Sequence, residues 1–458
     1  MKRPSRDRRA WRAGPLVHGY VVARHEWRQL RQLHPGPLLP WGGLALAVAG
    51  GALIGSVAVS FLFITEGLNS LWASTLPRSL GIGVWNPAVG LALLAAALVS
   101  GLLLRWLAPH KPQGPADLIE AAHHERLPSL RTGMASAGMS LFNISSGASV
   151  GIFGPLLHLG GCLQAWLARA MQQLTGPRAQ TLPYPPRLAM GAGAAAAVAA
   201  VFSAPLGAAV FAYEAIVRRR PRQDLLLVLA CAVAAFWASE AWIGEHRLFD
   251  LGERAPMTLA AWSTAALIGV ASGLSAAAYG RLVARMPAWA EASGLALHWR
   301  PLVPALLLFA ISPWLPHVLG AGTQTLQLAM AGDLTVALIL VVVIVKLLAT
   351  SLCLGFGLYG GVFGPALFLG ALTGCMVDLL VVPSAQALPS YAVLGAASTV
   401  AAVVGAPWAT ILIMLELTAS PSWTLMAGLS VLISTRISRR LCGRSLYDRQ
   451  LLVRQARA

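Results

Sequence analysis

The chain has 458 residues, 57% hydrophobic and only 11% charged, with mean hydropathy +0.67. A soluble domain carries about 25% charged residues, so the composition excludes a water-soluble globular protein and points to an all-α polytopic membrane protein. The formal net charge of +17 lies in clusters beside apolar runs, not interleaved with aromatics, so it argues for membrane orientation and against nucleic acid as a partner.

Residues 1–35 form a basic, partly amphipathic lead-in with Lys2, Arg3, Arg6, Arg8, Arg9, Arg12, Arg24, Arg28 and Arg31. They read as a cytoplasmic segment without the pattern of a cleavable signal. Apolar runs follow at Trp41–Ile64, Pro87–Leu107, Leu225–Ile243, Met257–Tyr279 and Leu334–Thr350, most of them near the 20 or so residues that span a bilayer. Other runs are shorter and interrupted by some of the 45 glycines and 29 prolines, which predicts packed, partly discontinuous helices.

Between the spans, one phrase occurs twice: "VGIFGPLLHLGG" from Val150 and "GGVFGPALFLGA" from Gly360. A second pair follows in the same order, Gly191–Glu214 and Gly395–Glu416. Each member of that pair has small residues, an Ala-Pro step and an apolar run ending in glutamate. Two ordered matches predict two homologous membrane halves, 36–252 and 253–458, and place a transport site where the interrupted segments meet. Gln172–Pro186 and Gly244–Pro256 read as loops. Arg218, Arg219, Arg220 and Arg222 form an internal basic cluster, and Arg436, Arg439, Arg440, Arg444, Arg449, Arg454 and Arg457 lie near the C-terminus. The positive-inside rule sets both termini and the 218–222 loop in the cytoplasm. Cys162, Cys231, Cys353, Cys375 and Cys442 have neither metal nor disulfide spacing, so no metal or cofactor is expected. No nucleophile–base pair appears either, so the expectation is not an enzyme.

A Gly-x-Phe-Gly-Pro turn opening an apolar helix presents free N–H groups and the positive end of the helix dipole. Two such starts facing one another make an anion cradle without formal charge, and neutral donors hold an ion weakly enough to release it.

These phrases resemble signature motifs of the CLC family of chloride channels and proton-coupled chloride transporters, of the bacterial type without a C-terminal regulatory domain. Gly151-Ile152-Phe153-Gly154-Pro155 resembles the family's Gly-[Lys/Arg]-Glu-Gly-Pro, and Gly361-Val362-Phe363-Gly364-Pro365 its Gly-x-Phe-x-Pro. "GRSLYDRQL" resembles the segment that carries its pore tyrosine, here Tyr447. The resemblance implies a CLC-type fold of two inverted-topology halves, with many tilted, partly re-entrant helices. It also implies a homodimer with one pore per subunit, in contact with membrane lipid. The N–H groups of Val362 and Phe363 and the Tyr447 hydroxyl are then expected to hold a central anion, with Ile152–Gly154 lining an outer position.

The chain departs from the family in three places. Phe153 stands at the gating glutamate, and Ala215 stands where proton-coupled members keep an internal glutamate. The serine of the family's Gly-Ser-Gly-Ile-Pro is replaced by Gln113 or, one register away, by Pro112. Glu214 and Glu416, at equivalent helix ends, read as structural hydrogen-bonding groups. Lys346 reads as an attractive charge, or as a snorkelling or paired side chain. His158 reads as packed or as touching the pathway, while His123 and His124 read as a helix end or surface loop. The resulting expectation is a passive small-anion channel, for chloride or a similar ion, in a bacterial inner membrane. The alternatives are a chloride/proton antiporter with an unrecognised carrier (His158 or Glu214) and a non-conducting membrane scaffold.

Overall fold

The small-residue and apolar runs form helices that meet at short breaks. In a computed structural model of the chain, residues 41–73, 86–107, 111–175, 184–218, 224–244, 258–381 and 389–455 are described. The lead-in 1–35, most of the 218–222 cluster and most of both expected loops lie outside them. Residues 42–458 make one compact unit, and among the described residues every element is helical.

The first elements are α1 (Trp41–Ala73), α2 (Pro87–Leu107), α3 (Pro115–His123), α4 (Leu130–Ser145), α5 (Phe153–Thr175), α6 (Pro186–Phe202), α7 (Pro205–Phe211) and α8 (Leu225–Ile243). A π-helical turn, Ala212–Val217, extends α7. Then come α9 (Leu259–Ala292), α10 (Leu302–Ile311), α11 (Thr323–Met330), α12 (Val336–Phe356) and α13 (Phe363–Val381). The last are α14 (Pro389–Val404), α15 (Pro407–Thr418), α16 (Pro421–Cys442) and α17 (Leu446–Gln455). Among the described residues, six helices are long and apolar enough to cross a membrane: α1, α2, α8, α9, α12 and α13. At 1.5 Å per residue, the 34 residues of α9 reach about 50 Å, well beyond a hydrocarbon core of about 30 Å. A helix of that length tilts or projects from the bilayer.

The duplication is visible in the packing. α5 lies on α6 as α13 lies on α14, and both contacts are made backbone to backbone through glycine. A methyl on Gly160 would stand 2.6 Å from the Gly193 carbonyl, and Gly370 and Gly395 meet in the same way. The helix breaks match as well. Gly147 after α4 and Gly357 after α12 both take positive φ, as do Ser203 after α6 and Gly405 after α14. The residue of positive φ ends each helix, and after Ser203 and Gly405 the next helix starts with proline, at Pro205 and Pro407.

Candidate anion site

The two Gly-x-Phe-Gly-Pro turns meet. Gly151 and Gly361 form an isolated antiparallel bridge: the Gly151 N–H donates to the Gly361 carbonyl at 2.9 Å, and the Gly361 N–H returns the bond. Their donors are therefore committed to each other. The next residues, Ile152–Gly154 and Val362–Gly364, open α5 and α13, where N–H groups have no acceptor within their helices. A Cβ on Gly361 would stand 2.7 Å from the Gly154 nitrogen, and one on Gly151 would stand 2.9 Å from Pro365 Cδ. Gly361→Ala should therefore part the turns, with a cost of about 1–3 kcal/mol and a loss of anion flux. Thermal unfolding checks the first effect. Gly67→Ala, where nothing lies within 4 Å, should be neutral or slightly stabilising in its helix.

Over this junction lies a small cavity of about 10 Å³, bordered by Phe153, Gly154, Leu157, Phe202, Phe363 and Tyr447. That is room for about one water, so the space between the two turns is nearly filled. Three phenyl rings close it: Phe153 lies 5.1 Å from Phe202 and 5.9 Å from Phe363, and Phe202 lies 5.3 Å from Phe363. Phe202 carries no motif signal. Its place at the end of α6, directly before the Ser-Ala-Pro break, is the one clue the sequence offers.

The Tyr447 hydroxyl is buried against this cavity without a hydrogen-bond partner. Two other tyrosines stand close enough to interact with it electrostatically. Their hydroxyls are committed, Tyr279 to the Val362 carbonyl at 3.3 Å and Tyr359 to the Gln113 carbonyl at 2.5 Å. A buried hydroxyl without an acceptor is costly, so Tyr447 marks where a ligand with lone pairs fits. Of the residues expected from sequence, Phe153, Gly154, Phe363 and Tyr447 border the cavity. Gly151, Ile152, Pro155, Gly361, Val362, Gly364 and Pro365 make up the turns behind it. Gln113 stands outside the cavity, its N–H held by Ser136 Oγ at 2.8 Å, two residues before α3 begins at Pro115. Pro115 packs on Gly154.

Lys346, His158, Glu214 and Glu416 have structural partners. Lys346 Nζ donates to the carbonyls of Val318 and Gly320, at 3.0 and 2.6 Å, and lies over the Phe368 ring. It therefore ties α12 to that turn. His158 is fully buried, with Cys162 Sγ at 3.7 Å and Gly133 of α4 beside its ring, and it does not border the cavity. Glu214 accepts from the N–H groups of Trp408 and Ala409, and Glu416 from those of Leu206 and Gly207. Each glutamate thus caps the Ala-Pro helix of the other half.

Tyr447 is held at the start of α17 by its neighbour. Asp448 pairs with Arg218 at 2.6 Å and accepts from the Ser445 hydroxyl at 2.7 Å. Burial pulls the Asp448 carboxyl up, but the Ser445 hydrogen bond and the Arg218 charge outweigh it and hold it below its usual 3.8. A depressed carboxyl contributes stability that is complete above the usual value and fades as pH falls through the folded one. Asp448→Asn should cost at most about 1 kcal/mol at neutral pH, since both partners are partly exposed. The difference in melting temperature from the unmodified protein should vanish in acid.

With this geometry, the chain matches the family model for voltage gated chloride channels over residues 96–439. A putative chloride channel protein, ClcB-like, of Ralstonia nicotianae is 27% identical over 368 residues, covering 78% of this chain and 84% of that protein. The H+/Cl− exchange transporter ClcA of Salmonella paratyphi B is 25% identical over 453 residues, covering 93% and 92%. Among solved structures, a slow cyanobacterial Cl−/H+ antiporter superposes with TM-score 0.74 at 20% identity, covering 93% of this chain and 99% of that one. A CLC-type fluoride/proton antiporter gives 0.73 at 20% identity, covering 89% and 97%. These likenesses show the fold, an all-α membrane architecture of two inverted-topology halves. The paired turns, the unpartnered tyrosine and a family match over most of the length lead to one conclusion: the chain belongs to the voltage-gated chloride channel, or CLC, family.

Proposed function

We propose that the protein moves chloride or a similar small anion across the membrane, through a site formed by the starts of α5 and α13 with Tyr447. The observation that carries this reading is the convergence of two uncharged helix starts on a buried hydroxyl that lacks a partner. Helix-start N–H groups and a hydroxyl attract an anion through partial charges alone. The halves 36–252 and 253–458 build one such pathway per subunit of a homodimer, with both termini in the cytoplasm of a bacterial cell.

On coupling, the relative named as an H+/Cl− exchange transporter favours proton-coupled exchange over the passive channel that the residues alone suggest, and exchange is the reading we adopt. It needs a proton carrier other than a carboxylate at 153 or 215. Glu214 has both oxygens on the start of α15, which leaves His158, about one turn beyond Gly154, as the carrier. Passive conduction is the second reading, favoured by one observation: Phe153 and Ala215 leave both of the family's carboxylate positions without an ionisable group.

The test is purified protein in liposomes, with chloride and proton movement recorded together. Uphill proton transport driven by a chloride gradient is the expected result, lost in His158→Leu. Chloride flux with no proton movement establishes the passive reading. No anion flux from folded protein overturns both and leaves a scaffold.

A further inference from the structure

One face of α4 is polar yet wholly buried. Ser136, Ser140 and Asn143, at the i, i+4, i+7 spacing that shares one side of a helix, are each 0% exposed. Each holds a different part of the candidate site. The Ser136 hydroxyl accepts from the Gln113 N–H at 2.8 Å, in the lead into α3. The Ser140 hydroxyl donates to the Gly151 carbonyl of the first turn at 3.0 Å. The Asn143 amide donates to the carbonyl of Tyr359, two residues before Gly361 of the second turn, at 2.9 Å. The other end of that amide accepts from the Ser100 hydroxyl of α2 at 2.8 Å, so both ends are fixed. The Tyr359 hydroxyl closes the circuit on the Gln113 carbonyl at 2.5 Å.

These bonds do more than satisfy buried polar groups. A buried helical serine can be satisfied on its own helix, as Ser145 is by the Leu141 carbonyl at 2.8 Å. Ser140 reaches out of α4 instead, to a Gly151 carbonyl that already accepts from the Gly361 N–H. What the second bond adds is position. The bridge between Gly151 and Gly361 is isolated, so it joins the turns of the two halves at one point and leaves their mutual angle open. Ser140 and Asn143, about 4.5 Å apart along one helix axis, grip one turn each and supply the missing constraint. The angle matters because an N–H group that swings away from its acceptor loses most of its attraction, and two helix starts must point at the same ion.

We propose that Ser140 and Asn143 are positioning residues for the anion site, which hold the two turns from one face of α4 at the angle where both helix starts address one ion. This rests on the anion lying between the starts of α5 and α13, and on neither coupling reading. Calorimetric titration of sodium chloride into the purified full-length protein, in chloride-free detergent buffer, tests it alongside thermal unfolding of the same samples. Ser140→Ala and Asn143→Ala should each weaken chloride binding by ~10-fold, the scale of one hydrogen bond to a charged group. The double variant should lose less than the ~100-fold product, because releasing either turn already frees the angle. Ser145→Ala removes a buried hydroxyl from the same helix and should bind chloride as the unmodified protein does. Should Asn143→Ala fail to stay monodisperse, Ser100→Ala frees only the far end of the amide and should weaken binding by ~3-fold. A lower melting temperature with unchanged chloride affinity in Ser140→Ala and Asn143→Ala reduces the face to a stabilising one and overturns the proposal, as does an equal loss of affinity in Ser145→Ala. Absence of chloride binding by the unmodified protein, or full affinity in folded Gly361→Ala, instead overturns the placement of the anion between the turns, and the proposal with it.

Discussion

Phe153→Ala is expected to raise anion flux by at least ~10-fold, equivalent to a barrier lowered by about 1.4 kcal/mol. The Phe153 ring is the one member of the aromatic closure contributed by the first turn, and it meets both Phe202 and Phe363. Removing it joins the small cavity beside Tyr447 to the space the ring now fills, on the line between the two helix starts. The same change costs stability, about 3–5 kcal/mol if the surroundings do not collapse. Flux must therefore be normalised to folded protein. Phe202→Ala is the companion variant, because it removes a ring of the same cluster without altering either turn. A gate made of packed rings predicts that both variants raise flux. A ring that only fills space predicts lower stability with unchanged flux.

The substitution Phe153→Glu separates steric from electrostatic gating. A carboxylate at the start of α5 is drawn to the same N–H groups as the permeant ion, so it competes with the anion while charged and releases the site when protonated. Flux should then rise as pH falls more steeply than in the unmodified protein, which has no ionisable group at position 153. Liposome flux over a range of pH reads the difference directly, and a profile for Phe153→Glu unchanged from that of the unmodified protein would remove residue 153 from the anion path.

Much of this arrangement is legible in the residues, and the rest is hidden for a physical reason. The repeated turn, the Ala-Pro steps and the terminal glutamates are local patterns, and each gave an element where it was expected. Pro87–Leu107 and Leu225–Ile243 match α2 and α8 end for end. The expected run Met257–Tyr279 continues to Ala292, because Arg281 and Arg285 lower the hydropathy without breaking the helix. The position of Phe202 was not legible. Its repeat mate is Val404, so the pattern marks a helix end there but says nothing of which neighbour the side chain meets. Lys346 was open between three roles because its partners are carbonyls of a turn some two dozen residues earlier, and a backbone acceptor leaves no trace in side-chain identity.

The glutamate pair shows the same limit and sets the second large effect. Each glutamate could be placed at a helix end from sequence, yet the helix it serves belongs to the other half, about two hundred residues away. Glu416 receives the N–H groups of Leu206 and Gly207 at 2.8 and 2.7 Å, just after Pro205 opens α7. Glu214 receives that of Ala409 at 2.9 Å and, more weakly, that of Trp408, just after Pro407 opens α15. Proline at the first position removes one donor, and the carboxylate answers the next two while opposing the dipole. Glu416→Leu strands a part-buried donor at Gly207 and an exposed one at Leu206, so the cost should be about 2–4 kcal/mol. Glu214→Leu should cost somewhat less, because its bond to Trp408 is long. Glu416→Gln keeps an acceptor oxygen and should lose only about 1 kcal/mol, which thermal unfolding in detergent can resolve. The two losses should not add, since α7 and α15 pack on each other and share one interface. Transport distinguishes a cap from a proton carrier. Glu214→Gln should leave the ratio of protons to anions unchanged, because the carboxylate acts through its acceptor oxygens, whereas a carrier loses its titratable proton and the ratio with it.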